Sequence, residues 1–171
     1  MKLAAALVLA AFLGTALPAA AADAVARAGD VGQIALPAAA LLATALHHDG
    51  TGAKEFAEAF VSTLAAVYVL KATVERRRPD GGLRSFPSGH TASAAAGAAF
   101  LQRRYGWSYG IPAYAAAAFV GYSRVESRRH YTSDVLVGGA LGIGANVLFT
   151  KRHHRVAVAP VPGGVSVAIA W

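Results

Sequence analysis

Two histidines in this chain stand in short polar clusters suited to acid–base or nucleophilic chemistry. His130 lies in the stretch Ser123 to Asp134, and Asp134 follows it by four residues. Because residues four apart are neighbours on a helix, we expect Asp134 to accept a hydrogen bond from Nδ1–H of His130. A neutral imidazole held in this way presents its Nε2 atom as a nucleophile. The alternative is a surface His–Asp pair that only caps a helix.

The second histidine, His90, stands in the sequence Pro87-Ser88-Gly89-His90 at the start of an apolar segment. We expect Ser88 to cap a helix there and Gly89 to let a ligand approach the backbone. The free N–H groups of a helix N-terminus favour a phosphate group, and the phosphate would stabilise the protonated form of His90. Read alone, the same four residues also describe an ordinary helix start.

Three cations accompany the histidines. Lys71 and Arg78 are seven residues apart, which on a helix is two turns and therefore one face. Two cations on one face repel each other unless an anion lies between them, and Arg124 supplies a third cation near His130. The alternative for the first pair is a basic anchor at a membrane surface.

Composition limits the class of protein. The chain has 171 residues, of which 56% are hydrophobic and 15% charged, and it has no cysteine. These values fit one folded domain and exclude a largely disordered chain, a charged coiled coil, a disulfide scaffold and a thiolate metal site. The net charge is +7, and arginines concentrate in 76–84 and 124–129. Two compact patches favour a pocket for one anion over a nucleic-acid surface.

The N-terminus has the pattern of a secretory signal. Lys2 precedes an apolar run from Leu3 to Leu17, and small residues follow at Ala20 to Ala22. We therefore predict a signal peptide over 1–22, cleaved before Asp23, with an uncleaved membrane helix as the alternative. The remaining chain divides into a helical domain over 23–155 and a tail over 156–171.

Helical periodicity in alanine-rich segments predicts an all-α fold. We expect an antiparallel bundle of about five or six helices, which brings the three clusters to one end. The tail alternates apolar residues around a Pro-Gly turn, which predicts a short β-hairpin. Most apolar segments are shorter than a comfortable membrane span, so a membrane bundle and a compact soluble bundle both stay open, with a preference for the membrane. The five predicted helices are Val31–Leu46, Phe56–Leu70, Thr91–Leu101, Ser108–Tyr122 and Val135–Phe149.

The three clusters together resemble the signature of the type 2 phosphatidic acid phosphatase superfamily. The matching elements are Lys71-x6-Arg78-Pro79, Pro87 to His90, and Ser123 to Asp134. The resemblance implies that His130 attacks phosphorus and forms a phosphohistidine, that Asp134 orients it and that His90 is the general acid. It implies no metal and no cofactor, with vanadate as a phosphate-mimicking inhibitor. The phosphate-binding residues implied are Lys71, Arg78, Ser88, Gly89 and Arg124.

The resemblance leaves the substrate open. We expect a phosphorylated lipid, of the phosphatidic acid or isoprenoid pyrophosphate type, or alternatively a small soluble phosphoester. A vanadium haloperoxidase would use the same pocket to hold vanadate. Basic residues at the opposite end of the bundle favour an inner-membrane protein whose site faces the periplasm, with a soluble periplasmic protein as the alternative.

Overall fold

The computed structural model describes residues 19–153, 155–161 and 164–170, which form five helices and a two-stranded hairpin. This confirms the predicted all-α bundle with a C-terminal hairpin. The helices are α1 (Ala19–Leu46), α2 (Gly50–Thr73), α3 (Gly89–Tyr105), α4 (Trp107–Glu126) and α5 (Thr132–Phe149). The strands are β1 (Arg155–Val161) and β2 (Gly164–Ala170), paired antiparallel with Val158 opposite Val167.

Helix α3 is the centre of the bundle. Almost every residue from Thr91 to Leu101 is buried, and most of these residues are alanine. Small side chains let the neighbouring helices approach closely, so α1, α2, α4 and α5 all pack on this one helix. The central position of α3 fixes its N-terminus, and therefore His90, against the ends of its neighbours.

Glycines on α5 set its close approach to the start of α3. A Cβ at Gly138 would collide with the carbonyl oxygen of Ser88, and a Cβ at Gly142 would come within 2.5 Å of the carbonyl oxygen of Ala92. A side chain at either position would push the two helices apart. Gly138 thus holds the backbone of the Pro87-to-His90 turn against α5.

The outer surface of the bundle is apolar. Three described helices are long and apolar enough to cross a membrane, over Ala21–Leu46, Gly50–Thr73 and Thr132–Phe149. Large hydrophobic side chains project outward from them, for example Ile34 at 68%, Val61 at 64% and Leu148 at 79% exposure. Such a surface suits lipid contact.

Helix α1 begins earlier than predicted. Apolar patterning suggested a start at Val31, whereas the helix is already present at Ala19 and includes Arg27 and Asp30. Alanine has the highest helix propensity, and four alanines in a row open the helix. The predicted signal peptide falls largely on residues outside those described, and its cleavage point stays a prediction.

The end of the bundle opposite the three clusters is closed by a buried ion-pair network. Nε and Nη2 of Arg104 each donate to the Asp49 carboxylate at 2.6 Å, and Nη1 donates to Glu55 at 3.2 Å. Arg104 is one of the basic residues at this end, and its side chain is 7% exposed. Charge pairing allows this burial and joins α3 to α2.

Candidate active site

The three clusters meet at one end of the bundle. Helix α2 and its following loop bring Lys71 and Arg78, α3 begins at the Ser88 turn, and α4 and α5 are joined by the loop that carries His130. The loops themselves are linked, because Asp80 N–H donates to the carbonyl oxygen of Arg128 at 3.1 Å. Predicted convergence of the clusters is therefore confirmed.

Asp134 organises this end of the molecule. Its carboxylate is fully buried and accepts hydrogen bonds from Nη1 of Arg76 at 2.8 Å, Oγ of Ser85 at 2.5 Å and the backbone N–H of Tyr131 at 3.0 Å. Its carbonyl oxygen accepts from Ser88 N–H at 2.9 Å. One residue thus connects the loop after α2, the start of α3 and the start of α5.

His130 lies beside Asp134, but not through helical spacing. Helix α5 begins at Thr132, so His130 belongs to the preceding loop, and Tyr131 is the N-cap residue. The capping turn, in which the Asp134 carboxylate bonds Tyr131 N–H, brings the two side chains together. Nδ1 of His130 is 3.5 Å from Oδ2 of Asp134 and has no hydrogen-bond partner among the described residues, since the carboxylate is occupied by its other donors. The expected hydrogen bond is therefore a close approach instead.

The surroundings of His130 keep its imidazole neutral. The side chain is 4% exposed, and burial together with the positive charges of Lys71 and Arg78 lowers its pKa from 6.5 to about 4. Asp134 and a backbone contact with Ser85 act in the opposite direction, but more weakly. A neutral, buried imidazole next to two cations has the properties of a nucleophile for an anionic substrate.

Ser88 is the N-cap of α3, as predicted, and its side chain, which was expected to bind phosphate, is engaged within the helix start. Its Oγ accepts from Thr91 N–H and lies 3.0 Å from Oγ1 of Thr91, fully buried. Its N–H is bonded to Asp134. Within the described residues, the N–H groups of Gly89 and His90 make no such bond, and they remain available to an anion.

The cations Lys71 and Arg78 reach the site by different routes. Lys71 lies on the last turn of α2 and donates to the carbonyl oxygen of Arg84 at 2.9 Å. Arg78 lies beyond the helix, which ends at Thr73, so the two do not share a helix face as predicted. The helical conformation is unfavourable for a residue that precedes a proline, and Arg78 precedes Pro79. Nε of Arg78 is buried and has no hydrogen-bond partner among the residues that the structure describes.

Arg124 and His90 share a partner that was not predicted. Oδ1 of Asp30, on α1, accepts from Nη1 of Arg124 at 2.7 Å and lies 3.0 Å from Nε2 of His90. Nη2 of Arg124 donates to the carbonyl oxygen of Ala26 at 2.5 Å. The buried guanidinium is therefore tied to α1 by two bonds.

The predicted site residues did not include three residues that contact the site: Asp30, Arg76 and Ser85. Arg76 and Ser85 stand inside the loop that carries Arg78, where nothing local distinguishes them from the neighbouring arginines and polar residues. Asp30 lies 60 residues before His90. A carboxylate preceding a long apolar stretch was the available signal for it.

An apolar groove of about 630 Å³ ends at the site. Its walls come from α1 and α2, and its polar end is formed by Lys71, Gly89 and His90. The apolar walls are Ile34, Pro37, Ala38 and Leu41 on one side and Phe56, Phe60, Leu64, Val67 and Tyr68 on the other. Among the described residues, no group of three or more histidines and carboxylates is arranged to hold a metal ion.

Two proteins with sequences similar to this chain are named lipid A phosphatases. The chain is 48% identical over 73 residues to a lipid A 1-phosphatase of Porphyromonas gingivalis, covering 40% of this chain and 16% of that protein. It is 31% identical over 117 residues to a lipid A 4'-phosphatase of Helicobacter pylori, covering 61% of this chain and 59% of that protein. The chain thus spans less than two thirds of either relative.

A solved structure and a family model also match this chain. The crystal structure of Aquifex aeolicus LpxE superposes with a TM-score of 0.69 at 22% identity, covering 83% of this chain and 92% of that one, which shows a shared fold. Residues 80–157, which include the second and third clusters, match the PAP2 superfamily. This match confirms the resemblance of the chain to the type 2 phosphatidic acid phosphatase superfamily.

Proposed function

We propose that this protein is a metal-independent phosphatase that removes phosphate from a phosphorylated lipid through a phosphohistidine intermediate. The observation that supports it best is the continuity of the apolar groove with the cationic site: Lys71 and His90 belong to both. One amphiphilic substrate would then place its phosphate among the cations and its chain between α1 and α2.

In the first step, Nε2 of His130 attacks phosphorus and the bond between phosphorus and the leaving oxygen breaks. His90 donates a proton to that oxygen, which leaves as an alcohol, or as a phosphate if the substrate is a pyrophosphate. Lys71, Arg78 and Arg124 neutralise the equatorial oxygens, and the N–H groups of Gly89 and His90 add further donors. Charge neutralisation by three cations supplies the stabilisation that Mg²⁺ supplies in kinases.

In the second step, water attacks the phosphohistidine and gives its proton to His90, which is now neutral. The P–N bond breaks, phosphate leaves, and His130 and His90 return to their starting states. Asp134 orients the His130 ring through Nδ1–H; a shift of a few tenths of an ångström shortens the present 3.5 Å approach to a hydrogen bond.

A membrane setting suits a lipid substrate. Apolar helices α1 and α2 form both the outer surface and the groove, so a lipid chain in the bilayer could enter sideways without leaving an apolar environment. We infer an inner-membrane protein whose site faces the periplasm, in line with the basic residues Lys151 and Arg152 at the other end.

The test of the chemistry is phosphate release in the presence of EDTA. Purified protein is given phosphatidic acid, undecaprenyl pyrophosphate and p-nitrophenyl phosphate, with orthovanadate as inhibitor. We expect vanadate-sensitive release from a lipid substrate that is lost in His130→Ala. Release from the soluble ester alone would favour a soluble-type acid phosphatase, and vanadate-dependent bromide oxidation without phosphate release would favour a haloperoxidase.

The test of the lipid assignment is a pair of tryptophan variants. Ala38→Trp fills the groove, whereas Ala116→Trp changes an exposed alanine of α4 outside it. We expect Ala38→Trp to lower kcat/KM for long-chain phosphatidic acid at least tenfold while p-nitrophenyl phosphate is hydrolysed as before. Equal behaviour of the two variants would contradict the assignment of the groove to the lipid chain.

A further inference from the structure

The end of the bundle that carries the candidate active site holds a second carboxylate–imidazole contact besides Asp134 and His130. Oδ1 of Asp30 lies 3.0 Å from Nε2 of His90, shorter than the 3.5 Å between Asp134 and His130. The same oxygen atom accepts a charge-assisted hydrogen bond from Arg124 at 2.7 Å. Asp30 therefore joins a histidine and a cation of the site on two different helices.

The close packing of α1 on α4 holds Asp30 and Arg124 in place beside His90. Asp30 follows Gly29, which lies where α1 packs closely on α4: a Cβ at Gly29 would collide with the Ser123 side chain and come within 2.6 Å of Arg124. Nε of Arg124 also donates to Oγ of Ser123 at 3.1 Å, so the guanidinium is fixed from α1 and α4 together. A well-held guanidinium in turn fixes the Asp30 carboxylate that faces His90.

The charges around His90 explain why it needs such a partner. Arg124 on α4 and Arg78 on the loop after α2 both lower its pKa, as does its partial burial, and Lys71 of α2 lines the same groove. Among the groups that act on His90, Asp30 is the one that raises the pKa, through its charge and its hydrogen bond. A general acid must hold its proton until the leaving group departs, and cations alone would remove it.

We propose that Asp30 is the positioning residue of the general acid: it binds Nε2–H of His90, keeps the imidazolium protonated and directs Nδ1–H towards the leaving oxygen. This inference rests on the proposed function. When the bond between phosphorus and the leaving oxygen breaks, the Nδ1 proton passes to that oxygen. His90 is then neutral, and its remaining Nε2–H group still donates a hydrogen bond to Asp30. The residue lies outside the segment that matches the PAP2 superfamily.

Leaving-group dependence tests this role. Asp30→Asn keeps the size of the side chain and removes its charge, and Asp23→Asn makes the same change at an exposed position of the same helix. An alkyl phosphate needs a proton on its leaving oxygen, whereas nitrophenolate leaves with little help. We expect Asp30→Asn to lower kcat for an alkyl phosphate by roughly tenfold to a hundredfold, and for p-nitrophenyl phosphate by less than threefold. Asp30→Glu should restore part of the loss, and Asp23→Asn should behave as wild type.

Two outcomes would overturn the proposal. An equal loss on both substrates would mean that Asp30 only stabilises the fold, and a lower KM with unchanged leaving-group dependence would mean that it competes with the substrate phosphate. In His90→Ala, the further change Asp30→Asn should have no additional effect on the alkyl phosphate.

A titration of His90 separates this inference from the proposed activity. In protein with isotope-labelled imidazoles, with the signal assigned by His90→Ala, Asp30→Asn should lower the pKa of His90, because the carboxylate that raises it is removed. If the wild-type protein hydrolyses neither substrate but the titration shifts, the proposed function fails and the Asp30–His90 pair stands. If the titration does not shift, the pair itself is refuted.

Discussion

Nη1 of Arg76 donates to Oδ1 of Asp134 at 2.8 Å, and its guanidinium lies 4.3 Å from the centre of the Tyr131 ring. This one side chain therefore fixes both the carboxylate beside His130 and the residue that caps α5. It reaches them from the loop after α2, so the position of the proposed nucleophile depends on a contact between distant parts of the chain.

The change Arg76→Ala is expected to lower kcat by about tenfold to a hundredfold, because Asp134 loses a charged donor and the His130 ring loses its alignment. The exposed neighbour Arg77 provides the matched control, Arg77→Ala. Steady-state kinetics on p-nitrophenyl phosphate measure both. Equal rates for the two variants would show that Asp134 is held without Arg76.

The change His130→Ala is expected to abolish turnover, because the attacking nitrogen is removed. Rapid acid-free quenching with a radiolabelled substrate should trap label on the wild-type protein and none on the variant. His48→Ala, at an exposed turn, should label normally. Label on the His130→Ala protein would place the phosphoenzyme on another residue.

The pH dependence of kcat/KM should be bell-shaped and lie in the acid range. His130 acts in its neutral form and its pKa is lowered to about 4, so activity should rise as pH increases through that value. His90 acts in its protonated form, and burial and Arg124 lower its pKa below 6.5, so activity of the free enzyme should fall as pH rises through that lowered pKa. His90→Ala should remove the upper limb, and an acid limb at pH 6.5 would contradict the role given to His130.

A pair of glycines on α5 separates close packing from helix propensity. In Gly138→Ala the new Cβ collides with the carbonyl oxygen of Ser88, and the variant should lose about 1–3 kcal/mol of stability together with activity. In Gly144→Ala no atom of the described residues lies within 4 Å of the new Cβ, so the variant should gain about 0.5–1 kcal/mol of stability. Thermal unfolding in detergent compares them, and an unchanged Gly138→Ala would argue against the close approach of α5 and α3.

The ion-pair network at the far end should matter for stability and little for chemistry. Arg104→Ala leaves the buried carboxylates of Asp49 and Glu55 without their cation, and we expect a loss of about 3–5 kcal/mol of stability. The exposed Arg152→Ala should lose less than about 0.5 kcal/mol. Specific activity per folded molecule should stay near wild type in both, and a selective fall in kcat for Arg104→Ala would couple the two ends of the bundle.

Local pattern was sufficient for the elements and for the types of residue in the site. Apolar, alanine-rich segments indicated five helices, and alternation in the tail indicated the hairpin, because helical and extended periodicities are properties of a few consecutive residues. The clusters around His90 and His130 likewise stand within short stretches. The prediction placed two residues on helices wrongly, since Arg78 lies beyond the end of α2 and His130 lies before the start of α5. Helix ends depend on capping residues and prolines, which periodicity does not register.

The sequence by itself determined the helices, the charged motifs and their order along the chain. Tertiary structure alone decided which arginine of Arg76, Arg77 and Arg78 holds Asp134, and it alone brought Asp30 to His90 and Arg124. The physical reason is that these contacts join residues tens of positions apart. Their distances are set by how closely α1, α4 and α5 pack around the small side chains of α3, to within the size of a single Cβ atom.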